Sequence, residues 1–175
     1  MRVKKITELN RLSIEEFKDT PKIPLVIILD NIRSLNNIGS VFRTSDAFLV
    51  EEIILCGITA TPPHPDIHKT ALGAENSVNW RYFEKTADAV KYLKDNAYII
   101  CGLEQATNSI DLENLQSDKK NKYALILGNE VKGISQDIID LCDICIEIPQ
   151  YGTKHSLNVS VAGGIVIWNF FKNLK

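Results

Sequence analysis

Three stretches of this chain crowd polar groups and small residues together, and the densest is IPQYGTKHSLNVSVAGG, residues 148–164. A strand ending near Ile148 runs into a turn with Pro149 and Gly152, and Ser156 and Asn158 then open a helix that stays apolar as far as Phe171. The first turn of a helix leaves backbone N–H groups without intrahelical acceptors, so such a junction can hold a ligand largely through main-chain donors. The second stretch, LGNEVKGIS, brackets Glu130 between Gly128 and Gly133, and glycine lets the backbone approach a ligand closely. The third, DNIRSLNNIGSVFRTSDAF, carries Asn37, Gly39 and Arg43 across a loop-to-helix junction. Asn37 reads there as the helix cap and Arg43 as projecting from the second turn.

Taken singly, each cluster has an ordinary explanation. Arg43 suits a surface ion pair, Asn37 a plain cap, Glu130 a solvated loop acid, and Gly163 with Gly164 a close helix contact. A glycine inside a helix costs about 1 kcal/mol against alanine, so that last pair requires a packing reason. Neither a GxGxxG nor a Walker P-loop is present, which argues against dinucleotides and nucleoside triphosphates bound in the usual ways. His155 beside Ser156 does not make a hydrolase, because adjacent residues at a helix start point apart and there is no GxSxG elbow. Cys142 with Cys145 forms a CxxC and His64 with His68 an HxxxH, the arithmetic of a zinc site. CDICIEIP, however, reads as a strand whose alternate residues face the core, so buried reduced thiols and no metal are expected.

The elements that must position these residues follow from pattern. With 175 residues, 45% apolar and 24% charged, the chain suits a single globular domain of ordinary composition. No apolar run approaches the roughly 20 residues that span a bilayer, and MRVKKITELN lacks the apolar region of a secretory signal, so a cytoplasmic location is expected. A net charge of −2 gives no global sign of nucleic-acid binding, but the ends are basic: residues 1–22 carry six Lys or Arg against four acids, and residues 149–175 carry Lys154, Lys172 and Lys175 against none. Six strands are readable, over 24–29, 52–56, 78–83, 98–101, 123–127 and 145–148, alternating with helices near 37–48, 86–95, 135–141 and 157–172. The pattern predicts an α/β fold, a six-stranded, mostly parallel sheet flanked by helices. Residues 1–22 form a helical extension outside the sheet, with Ser13 and Glu16 as a capping box, and 23–175 form the main domain. The Pro-rich TPPHPDIHK, 61–69, reads as a surface loop. All three polar clusters fall at strand C-termini or at the helix starts after them, where open α/β sheets place ligands.

In that order the clusters resemble the three motifs of the SpoU (TrmH-like) RNA 2′-O-ribose methyltransferases of the SPOUT superfamily. The first motif, NxGxxxR, is matched by Asn37, Gly39 and Arg43, and the second, GxE, by Gly128 and Glu130. The third, IPMxG followed by SLNVSVA, is matched from Ile148 to Ala162, with Gln150 departing from the family's Met. KTALGAENSVNW, residues 69–80, is similar to a stretch the family carries between its first two motifs, and the likeness covers roughly 24–172. The resemblance implies a C-terminal trefoil knot, a homodimer joined through the knotted region with the helix containing IVIWNFF, and an RNA substrate, for which the short chain without an accessory domain favours tRNA over rRNA. It also implies a pocket for S-adenosyl-L-methionine built by Gly128, Ile148 and Leu157, with Leu103 and Glu104 close by. Arg43 would act at the ribose hydroxyl, Glu130, Ser156 and Asn158 would orient Arg43 and the ribose, and Asn37 would position the substrate backbone. The competing expectations are a non-catalytic RNA-binding protein of the same fold, a base methyltransferase, and a doubly wound binder whose Asn37 loop holds a phosphate.

Overall fold

Runs such as IPLVIILD and KYALIL have so few polar interruptions that they can be buried only if both faces of their sheet are covered. They belong to seven strands: β1 (Ile23–Asp30), β2 (Val50–Cys56), β3 (Asn79–Phe83), β4 (Tyr98–Leu103), β5 (Ile110–Asp111), β6 (Lys122–Leu127) and β7 (Ile144–Glu147). The computed structural model describes residues 1–175, the side chain of Ile6 excepted. Every pairing is parallel, and the strands lie in the order β3-β2-β1-β6-β4-β7-β5. The seventh strand, β5, is an addition to the six expected; its two exposed residues are too few to show an alternating pattern.

The helices are α1 (Ile14–Asp19), α2 (Leu35–Ala47), α3 (Pro65–Ala71), α4 (Ala74–Ser77), α5 (Thr86–Asp95), α6 (Gln136–Ile139) and α7 (Val159–Leu174). Successive strand residues point to opposite faces. Ile27 and Leu29 therefore join a core with Phe17 of α1, Phe42 of α2, Ile67 of α3 and Phe170 of α7. Val26 and Ile28 meet Val90 and Leu93 of α5 and Ile138 of α6 on the other side. Ser13 caps α1 in a full capping box with Glu16, as its spacing predicts.

Two local expectations are corrected. The segment 61–69 is not all loop, because His64 caps α3 through its side chain and Pro65 takes the first helical turn, where a missing N–H does no harm. Ser34, not Asn37, caps α2: its hydroxyl accepts from the Asn37 backbone N–H at 3.3 Å, leaving the Asn37 side chain for other partners. The first-motif glycine has a steric reason, since a Cβ on Gly39 would lie 2.3 Å from the Ile67 carbonyl oxygen where α3 crosses α2. Gly163 likewise lets α7 sit on the sheet, where a Cβ would come within 2.7 Å of Leu127 Cδ1. Beside it α7 runs along α2, with Phe48 packed against Trp168 and Phe171 at ring separations of 5.3 and 5.2 Å.

Candidate active site

Because β6, β4 and β7 are adjacent, the loops leaving their C-terminal ends open side by side where chain order and sheet order diverge. With the segment preceding α7 they enclose a cleft of about 590 Å³, the size of a small-molecule site. Leu103 and Glu104 enter from β4, Gly128 and Glu130 from β6, Ile148 from β7, and Ser156, Leu157 and Asn158 from the approach to α7. All five residues expected near a cofactor therefore line one cleft, as do three of the five expected for catalysis. Asn37 and Arg43 do not.

Asn37 nonetheless belongs to the same assembly. Its Nδ2 donates to Glu130 Oε1 at 3.0 Å, and its Oδ1 accepts from Asn158 Nδ2 at 3.1 Å. Asn158 is the cap of α7, its Oδ1 accepting from the backbone N–H groups of Ser160 and Val161. Glu130 accepts two further bonds at the start of α2, from Ser34 N at 2.9 Å and Arg33 N at 3.0 Å. One hydrogen-bonded chain thus joins a residue from each of the three clusters. Burial works against the Glu130 charge, but donors from Arg33, Ser34 and Asn37 outweigh it and hold the carboxyl below its ordinary value. A carboxylate of the chain itself occupies the N-terminus of α2, where the helix dipole favours an anion. This is the place where the Asn37 loop was to hold a phosphate in the binder alternative, and it is filled.

Glu130 consequently reaches the start of α2 and not Arg43. Arg43 stands exposed on α2 six residues beyond Asn37, and among the described residues its guanidinium has no ion-paired partner. Glu104 is turned toward the cleft's own backbone: it accepts from Ile134 N at 3.0 Å and Gln105 N at 2.9 Å. That bond presses its carboxylate against Gly133, whose φ of +66° suits glycine and whose Cβ would lie 2.2 Å from Glu104 Oε2. Gly128 is just as confined, since a Cβ there would fall 2.5 Å from the Gly133 carbonyl carbon. Sequence reasoning passed over Asn129, which holds this loop: Nδ2 donates to the Asn31 carbonyl at 2.7 Å and Oδ1 accepts from Val131 N and Lys132 N. Its position directly after Gly128, in a turn, was the available signal. Gln105 was also missed; its Nε2 donates to the His155 carbonyl at 3.0 Å and closes the cleft on that side.

Burial pushes the thiols of Cys101 and Cys142 up to about 12, so both are protonated and unreactive near neutrality. Among the described residues no group of three or more His, Cys, Asp and Glu side chains is placed to hold a metal ion. Nor is any helix among them long and apolar enough to cross a membrane.

The site can be set beside known proteins. A TrmH family tRNA/rRNA methyltransferase of Staphylococcus aureus strain MSSA476 is 31% identical over 159 residues, 91% of this chain and 63% of that protein. The chain therefore spans less than two thirds of the length of the curated relatives it matches. Among solved structures, the AdoMet-bound rRNA methyltransferase of Sinorhizobium meliloti superposes with a TM-score of 0.81 at 25% identity, over 91% of this chain and 60% of that one. The TrmH/SpoU tRNA modifying enzyme of A. aeolicus shares the fold at a TM-score of 0.80 and 23% identity, over 91% of this chain and 81% of that one. Residues 24–168, which contain the whole cleft and the Asn37–Glu130–Asn158 chain, match the SpoU rRNA Methylase family, and the protein belongs to that family.

Proposed function

We propose that this protein transfers the methyl group of S-adenosylmethionine to a ribose 2′-hydroxyl of RNA, acting as a cytoplasmic homodimer with tRNA as substrate and rRNA as the alternative. The observation that carries the reading is the convergence of Leu103, Glu104, Gly128, Ile148 and Leu157 on one cleft at the ends of three adjacent strands. The cleft suits the cofactor, for Leu127, Ile146 and Ile148 give it an apolar wall for an adenine ring, and Gly128 lets the backbone of residues 133 and 134 close in beside that wall. The Sinorhizobium relative is named as AdoMet-bound and as acting on rRNA, and the Staphylococcus relative as acting on tRNA or rRNA.

S-adenosylmethionine held by Leu103, Glu104, Gly128, Ile148 and Leu157 would supply an activated methyl carbon with a neutral thioether as leaving group, and the ribose hydroxyl would give up its proton to a phosphate or another acceptor. The protein's task is then alignment and help with a weakly acidic hydroxyl. A guanidinium offers hydrogen-bond donors and no acceptor, so Arg43 orients the ribose and a neighbouring phosphate and stabilises the developing alkoxide, without acting as a base. Ser156 and Asn158 border the ribose, while Glu130 and Asn37 hold the loops that carry them. Arg43 lies off the cleft of its own chain, and the neighbouring α7 leaves Val161, Ile165 and Trp168 exposed. Both features fit a dimer in which each Arg43 serves the partner's cleft.

The test is transfer of radiolabelled methyl from S-adenosylmethionine to separated tRNA and rRNA, with nuclease mapping of the product to ribose. Arg43→Ala is expected to lose about 100-fold or more of the turnover while keeping cofactor affinity by calorimetry. Strong residual activity removes Arg43 from the reaction, and a wild-type chain that does not bind S-adenosylmethionine overturns the whole reading.

A further inference from the structure

The rim of this cleft has a pattern of charge and aromatic exposure that methyl transfer itself does not use. Arg33, Lys132 and Lys154 are all exposed, and among the described residues none of the three side chains is ion-paired. The acids lining the cleft are arranged differently: Glu104, Glu130 and Glu147 are half-buried, the first two accepting from backbone N–H groups and the third from the Ser109 hydroxyl at 2.7 Å. Cations therefore face solvent while carboxylates face inward. The three cations stand on separate segments around the opening. Arg33 N is 3.0 Å from Glu130 Oε2, which places Arg33 beside the loop of Lys132, and Lys154 precedes His155, a cleft-lining residue whose carbonyl accepts from Gln105 Nε2 at 3.0 Å. Next to Gln150, a cleft-lining residue, the Tyr151 side chain is 94% exposed. It contributes nothing to the core, and a large aromatic ring held in water at the mouth of a site offers a flat face to a ligand.

We propose that this rim binds an unpaired stretch of RNA, with Arg33, Lys132 and Lys154 against its phosphates and Tyr151 as a stacking platform for one base. The inference rests on the methyl-transfer reading and narrows its substrate: the modified nucleotide is presented from a loop or a splayed single strand, not from a continuous duplex. A base inside a duplex is covered on both faces by its neighbours, and the major groove of A-form RNA is too deep and narrow for a side chain to read. An unpaired base has a free face, which an exposed tyrosine can cover whatever the base.

The experiment measures binding of the full chain to a short labelled oligouridine and to a perfectly paired RNA duplex of equal length, across a salt series. Calorimetry with S-adenosylmethionine runs on every variant to report an intact cleft. The oligouridine is expected to bind more tightly than the duplex. Tyr151→Ala should weaken oligouridine binding about 10-fold with little change in salt dependence. The double variant Arg33→Ala/Lys154→Ala should lower the slope of log K against log salt by about 1.4, the share of two phosphate contacts on a single strand. These side chains are exposed and off the cleft wall, so cofactor affinity should be retained in both variants. Tighter binding of the duplex, oligouridine binding indifferent to Tyr151→Ala, or an unmoved salt slope would each overturn the rim assignment while leaving methyl transfer intact. A wild-type chain that binds no S-adenosylmethionine overturns the methyl-transfer reading, and the rim assignment with it.

Discussion

Glu130 shows how much one side chain can be asked to do. A single carboxylate satisfies two backbone N–H groups at the start of α2 and, through Asn37, reaches the cap of α7. Its pKa in the folded chain lies below the ordinary 4.5, with burial raising it and the donors of Arg33, Ser34 and Asn37 lowering it further. A depressed carboxyl favours the folded state once ionised, so its contribution is complete above 4.5 and fades as pH falls through the lower folded value. Urea unfolding across this acid range should therefore show a limb of falling stability that Glu130→Gln flattens, and the substitution should cost about 1 kcal/mol or more at neutral pH. An unchanged acid limb in the variant would mean that the charge is not what the loops are built around. None of this was readable from spacing. Asn37 looked like a cap because its type and place in the chain fit one, whereas its actual partners lie 93 and 121 residues further along.

At the scale of elements, close approach between α2 and α3 decides what Gly39 must be. Alanine there would meet the Ile67 carbonyl oxygen and the Ala71 nitrogen, both backbone atoms that cannot swing aside. Overpacking of this kind costs about 1–3 kcal/mol and more than offsets the roughly 1 kcal/mol that alanine gains in helix propensity. Gly39→Ala should lower the unfolding free energy in urea, whereas Gly152→Ala, which meets nothing within 4 Å, should leave it within about 0.5 kcal/mol. Elements with a strong period were legible: α5 runs over Thr86–Asp95 as its pattern predicts, and six strands are displaced by no more than two residues at either end. Helix α3 was hidden because the two prolines and the histidine before it, with a third proline at its start, resemble a loop, although His64 followed by Pro65 is itself a helix-start signal. The cleft was legible as three polar clusters at strand ends, and its inner ties, Glu104 to Ile134 and Asn129 to Asn31, were not, because they join loops distant in sequence.

For the whole molecule, the exposed faces of α2 and α7 carry the proposal of a dimer. Val161, Ile165 and Trp168 follow the i, i+4, i+7 spacing of one helix face and are 53%, 40% and 51% exposed. Light scattering behind size exclusion should give twice the mass of 19.6 kDa for the wild-type chain and the single mass for Trp168→Glu; a wild-type monomer would remove the partner's Arg43 from each cleft. The order of strands has a different bearing, on biosynthesis. β6 lies between β1 and β4, so two earlier strands keep unfilled edges until Lys122–Leu127 has been made. A nascent chain emerging from the ribosome cannot close the middle of its sheet until residues 122–127 are free, and the facing edges of β1 and β4 stay unpaired while the strand that fills the gap between them is still being made.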